Sequence, residues 1–143
     1  MICNEAGLEL IKESEGLKLE AYYCPAGKLT IGYGHTGTDV TPHMAITLGQ
    51  AERLLDADLE RVEEGIEALV KVPLSANQFS ALCSFAYNLG LGALGGSTLL
   101  RKLNQQDYSG AALEFLRWDH IGQAENEGLK TLRTNERALF LTA

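Results

Sequence analysis

The stretch from Glu15 to Thr36, EGLKLEAYYCPAGKLTIGYGHT, decides how the chain is read. Gly16 follows a segment of helical periodicity and stops it, because glycine enters the left-handed backbone of a helix end without steric penalty. Beyond it come two short alternating runs, LKLEAYY and KLTIGY, separated by Pro25, Ala26 and Gly27. Alternation over such lengths is a strand pattern, and the intervening residues are turn formers, so residues 17–33 read as a β-hairpin.

Upstream, Asn4 is a good N-cap, and Leu8, Leu10 and Ile11 supply the apolar positions of a helix running to about Glu15. Downstream, Gly34, Gly37 and Pro42 mark irregular chain as far as Thr47–Gln50, a capping box that opens a helix expected to reach about Val70. In that helix Leu54, Leu55, Leu59, Val62, Ile66 and Leu69 recur at helical spacing, while the acids of DADLERVEEGIE fall between them on a solvated face. Gly65 leaves open a kink or a break. Pro73 ends the element, and Ser75–Gln78 is a second capping box for a helix through Leu89. Ser97 or Thr98 can start a helix to Leu103, Asp107 another through Trp118, and Thr134 or Asn135 a last one to Leu141. The C-terminal half therefore reads as all helical. The expected architecture is α+β within a single domain: an N-terminal lobe with a hairpin, residues 1–60, joined by one long helix to a helical lobe, residues 61–143.

Composition narrows the function. The net charge is −7, from 12 basic and 19 acidic residues, which argues against nucleic acid as a partner, since that binding depends on neutralising phosphates. Only the segment Lys130–Arg137, with three basic residues and one acidic, is locally basic, a weak field for steering an anionic polymer. MICNEAGLELIKESEG is too charged for a signal peptide or membrane anchor, so export is expected to depend on something outside the chain. Cys3, Cys24 and Cys83 are an odd number without zinc spacing, so at least one thiol is free, and Cys83 in SALCSFAYNLG reads as buried and inert. No metal or cofactor is expected, and a monomer is.

Glu15 is placed at the C-terminal end of the first helix, where the partial negative charge disfavours ionisation and raises a carboxyl pKa. Burial between lobes would raise it further, which suits a general acid that must still hold its proton near neutral pH. By itself, a Glu at a helix end is an ordinary surface residue. The spacing changes that. Glu15 is followed after eight residues by Cys24, then after five by Thr30, which opens Ile31-Gly-Tyr-Gly-His35-Thr36.

This pattern resembles the active-site segment of phage-type lysozymes, glycoside hydrolase family 24, in which Glu, Asp or Cys, and Thr stand at these spacings ahead of a TIGYGHT-like strand end. The resemblance continues through ITLGQAERLLDADL, NQFSALCSFAYNLG, STLLRKLN and GLKTLRTNERALF. It implies a lysozyme-like fold and hydrolysis of the β-1,4 bond between N-acetylmuramic acid and N-acetylglucosamine in peptidoglycan glycan strands. Glu15 would be the acid, with Cys24 and Thr30 flanking the attacking water. It also implies substrate contacts for Thr36, Tyr87 and Arg133, the last where the family brings an Arg to its acid. Core packing for Tyr87 and a merely solubilising surface position for Arg133 are the alternatives. His35 has no histidine or carboxylate at metal-ligand spacing and reads as a structural hydrogen-bonding residue.

Cys24 departs from the Asp form. An unperturbed thiol titrates near 8.5 and is largely neutral at pH 7, so thiolate base, nucleophile and passive water-positioner all stay open. Two rivals to a hydrolase follow: a lytic transglycosylase, in which the sugar's own hydroxyl attacks, and a non-catalytic peptidoglycan-binding module.

Overall fold

In the computed structural model, which describes all 143 residues, most helices start behind a short polar side chain that accepts from free backbone N–H groups. Asn4 Oδ1 accepts from Gly7 N at 3.1 Å at the head of α1 (Glu5–Glu15). Ahead of α2 (Leu48–Leu69), Gln50 N donates to Thr47 Oγ1 at 3.2 Å and Thr47 N to Gln50 Oε1 at 2.8 Å. Ser75 and Gln78 make the same reciprocal pair for α3 (Ala76–Leu89). The short α4 (Leu91–Gly95) has no side-chain cap and is anchored by the fully buried Leu94. Ser97, Asp107 and Asn126 then cap α5 (Thr98–Asn104), α6 (Tyr108–Glu114) and α7 (Glu127–Leu141). The fold is α+β and lysozyme-like.

The chain divides into two compact units, Lys12–Arg61 and Met1–Ile11 with Val62–Ala143. The first holds an antiparallel sheet of three strands in the order β1 (Lys18–Tyr23), β2 (Leu29–Gly32), β3 (His35–Thr36). The register sets Tyr22 opposite Thr30 and Thr30 opposite Thr36, a row running across all three strands. It arises from a bulge. Lys18 pairs with Gly32, yet three residues then intervene in β1 against one in β2 before Tyr22 meets Thr30. The bulged residues turn to the following loop: Ala21 N donates to Met44 O at 2.8 Å and Ile46 N to Leu19 O at 2.9 Å, with Glu20 bridged to Ala45. Beneath the sheet Ile31, Val40, Ala51, Leu55 and Leu59 are buried.

In the second unit α3 packs against α7, and Phe85 meets Phe115 and Trp118 edge-on at 5.5 and 5.6 Å between ring centroids. Burying each such ring stabilises by about 2–3 kcal/mol. Gly65 makes no kink. α2 runs through it unbroken, and a Cβ there would lie 2.3 Å from Leu91 Cδ1, so the glycine admits α4 close to the helix.

Five expectations change. Two residues of the irregular chain, His35 and Thr36, form a third strand. The run LGLGALGG contains α4 despite its glycines. The C-terminal half is not wholly helical, since His120–Ile121 (β4) and Ala124–Glu125 (β5) make a small hairpin. The last helix starts behind Asn126, eight residues before Thr134, and its buried face is Leu132, Arg133, Glu136 and Phe140. Two charged residues on that face hide its periodicity. Residues 1–11, read as part of the N-terminal lobe, group with the helical unit.

Candidate active site

Glu15 is the last residue of α1, and its carboxyl group rests on bare backbone. A Cβ built on Gly34 would stand 2.5 Å from Glu15 Oε2 and 3.0 Å from its Cδ, and Gly34 has φ +74. Glycine is thus required there twice, by the left-handed conformation and by the space the carboxyl group occupies. The carboxyl group is held at the connection between β2 and β3, at the C-terminal end of α1.

Cys24 follows β1 directly and enters a tight turn, in which its N–H donates to Lys28 O at 2.9 Å and its carbonyl accepts from Gly27 N at 2.8 Å. The turn aims backbone donors at the sulfur. A hydrogen bond from Lys28 N–H, above all, holds the thiol below its ordinary range; burial opposes this, and Ala26 N–H, the Thr30 hydroxyl and the Lys28 charge reinforce it. The turn thus shifts the thiol away from the unperturbed value of about 8.5. Thr30 is buried and its hydroxyl donates to Lys28 O at 3.0 Å. A hydroxyl has one proton, so Thr30 cannot donate to Lys28 O and to Cys24 Sγ together. While it donates to the carbonyl, its lone pairs remain for a water.

Sequence reasoning passed over Tyr22. It stands opposite Thr30 and is half-buried, and its phenol makes no hydrogen bond within the protein. Its phenol is raised above the ordinary range by burial and then by the negative charges of Glu15 and Cys24. The signal available in the sequence was its hairpin register with Thr30, which the bulge obscured.

His35 is buried below β3, with Nδ1 2.7 Å from Asp58 Oδ2 and Nε2 3.0 Å from Asp39 Oδ2. These contacts agree with the reading of His35 as a structural hydrogen-bonding residue, and they identify Asp39, four residues on, and Asp58 as its partners. Burial lowers the His35 pKa, but the hydrogen bonds to Asp58 and Asp39 outweigh it and the net direction is upward. With both ring nitrogens engaged, His35 braces the strand that carries Thr36.

Glu15, Cys24, Thr30 and Thr36 all lie in the Lys12–Arg61 unit, Thr36 with an exposed side chain. Tyr87 and Arg133 lie in the other, Tyr87 half-buried on α3. Arg133 corrects both readings given to it. It is 0% exposed, so it neither touches a glycan nor solubilises a surface. Its Nε donates to Trp118 O at 2.9 Å, Nη1 to Glu136 Oε1 at 2.7 Å, and Nη2 to Asn88 Oδ1, with the guanidinium 5.1 Å from the Phe85 ring centre. Desolvation pushes the paired Glu136 up to about 7, against the opposing pull of Arg133 and Ser84. One turn later, Arg137 has a buried Nε without a hydrogen-bond partner, and the sequence reading did not single it out.

A helix-terminal carboxylic acid held against a glycine of a small bulged sheet, ahead of a helical unit, is the arrangement of a lysozyme-like protein. The phage lysozyme family model matches residues 12–136, and the chain belongs to that family. It is 48% identical over 144 residues to an endolysin of Bacillus phage B103, covering 99% of this chain and 55% of that protein. The chain thus spans about half the length of that relative. An endolysin of Salmonella phage P22 is 44% identical over 146 residues, with 99% of both chains covered. Among solved structures, the muramidase domain of SpmX from Asticaccaulis excentricus superposes with a TM-score of 0.92 at 37% identity, covering 99% of this chain and 98% of that one.

Proposed function

We propose that this chain is an endolysin-type muramidase that hydrolyses the β-1,4 bond between N-acetylmuramic acid and N-acetylglucosamine. The observation that carries the reading is the Glu15 carboxyl group seated on Gly34, in the same unit as a turn that presents Cys24 and Thr30. Glu15 protonates the leaving oxygen. Water held by Cys24 and Thr30 attacks the anomeric carbon from the other face, a single displacement with inversion. The lowered thiol lets Cys24 take the water's proton as a thiolate, a role in which an Asp would serve equally. Thr36 and Tyr87 are proposed glycan contacts.

The protein is proposed to act on the cell wall as a monomer. No helix is long and apolar enough to cross a membrane. The test is release of reducing muramic acid ends from purified peptidoglycan by the wild type and by Glu15→Gln. The amide keeps the shape and has no proton to give, so activity should fall to a few per cent or less. Anhydro ends from the wild type would assign the reaction to a transglycosylase, and cleavage by Glu15→Gln would remove the acid assignment.

A further inference from the structure

The cross-strand row contains a side chain that the reaction as described leaves unused. We propose that Tyr22 is a third positioning residue for the attacking water, its phenolic O–H donating to the water that Cys24 and Thr30 accept from; this rests on the muramidase reading above. Three observations converge. The bulge in β1 sets Tyr22, and not Glu20, opposite Thr30, and directly opposed residues in an antiparallel pair point to the same face of the sheet. Tyr22 is half-buried while Tyr23, pointing the other way, is 65% exposed. The phenol makes no hydrogen bond in the protein, so both its donor and its lone pairs are unused there.

The hydrogen-bond accounting of one water then closes. A water has two donors and two acceptors. Thr30 Oγ1 gives its proton to Lys28 O and can only accept, and a Cys24 thiolate can only accept, so these two take the water's protons. One lone pair is filled by the Tyr22 O–H. The other is left for the anomeric carbon, and its direction is fixed by the first three contacts. Orientation of this kind contributes through the near-attack geometry of the reacting atoms. Burial, and then the charges of Glu15 and Cys24, also keep Tyr22 in its proton-bearing form, so it stays a donor after Glu15 has given up its proton.

The test is steady-state kinetics and end-group analysis of Tyr22→Phe on solubilised glycan strands, with Tyr23→Phe as the control. Tyr22→Phe keeps the ring and loses only the hydroxyl. The expected result is a kcat reduced about tenfold or more with KM within about twofold, and an unchanged thermal midpoint. A larger share of anhydro ends should accompany it, as the sugar's own hydroxyl competes with a less well held water. A merely structural tyrosine would move the midpoint and leave the share of anhydro ends unaltered. Wild-type kcat in Tyr22→Phe, or a loss confined to KM, would overturn the proposal. Failure of the wild type to release any new ends is a separate result, and it would overturn the muramidase reading together with this one.

Discussion

Gly34→Ala isolates the seat of the acid. The substitution adds one methyl group 2.5 Å from Glu15 Oε2, whereas ordinary contact begins at 3.4 Å, so the carboxyl group must retreat by about 0.9 Å. A displacement of about 1 Å in a reacting group can lower a rate about a hundredfold. The new residue must also hold φ +74, a left-handed conformation that costs an L-residue about 1–2 kcal/mol. For a chain of this size that is a fall of about 3–8 °C in Tm. The two contributions separate by means of Gly122→Ala, which has φ +63 and no atom within 4 Å of the added Cβ. Both variants should lose similar stability by differential scanning calorimetry, while only Gly34→Ala should lose kcat, by about a hundredfold, with KM little altered. If Gly34→Ala retained more than half the wild-type kcat, the carboxyl group would not be fixed by that backbone and the reasoning would fail.

Further outcomes concern the supporting residues. Cys24→Asp should stay active, Cys24→Ser should be much weaker because its hydroxyl does not ionise near neutral pH, and alkylation of Cys24, checked by mass spectrometry, should abolish lysis. Since the thiol is lowered, alkylation should persist to more acidic pH than with an unperturbed thiol. His35 has a raised folded pKa, so the stability from Asp58 and Asp39 is fully present below the ordinary histidine value near 6.5 and is lost as pH rises through the folded value. Asp58→Asn should therefore lower the thermal midpoint more at pH 6 than at pH 9, and an equal loss at both would contradict the charged pair. Arg133→Ala should destabilise by about 3–5 kcal/mol in denaturant unfolding, because it leaves Glu136 buried without its partner; a loss under about 1 kcal/mol would contradict the buried network.

The parts of the fold with local chemical punctuation were legible in the sequence. Thr47 with Gln50 and Ser75 with Gln78 are reciprocal caps whose effect is complete within four residues, and both helices start where those pairs place them. The turn at Pro25–Gly27 is equally local, and it joins the two strands that lead to Cys24 and on to Thr30. What escaped the reading depends on partners far along the chain. β3 exists because Ile31 and Thr30 offer it a ladder. α4 exists because Leu94 is buried and Gly65 leaves room for Leu91. The start of α7 was hidden because Arg133 and Glu136 occupy a buried face that a hydrophobic pattern alone would assign to solvent. At the site the same division holds: Glu15 and Thr30 follow from spacing, whereas Tyr22 and Gly34 follow from a bulge and a contact that spacing does not encode.

The bulge in β1 has a second effect, on colloidal behaviour. β1 is the outer strand of its sheet, and a flat outer strand with unpaired N–H and C=O groups is a template for another chain. Leu19 is 42% exposed there, which would add an adhesive side chain to an open ladder. By bending the strand so that Leu19 and Ala21 hydrogen-bond to Ile46 and Met44, the bulge spends those groups on the protein's own loop. The same irregularity that sets Tyr22 against Thr30 thus closes the sheet's outer edge to addition of a foreign strand, and couples aggregation resistance to the geometry of the active-site hairpin.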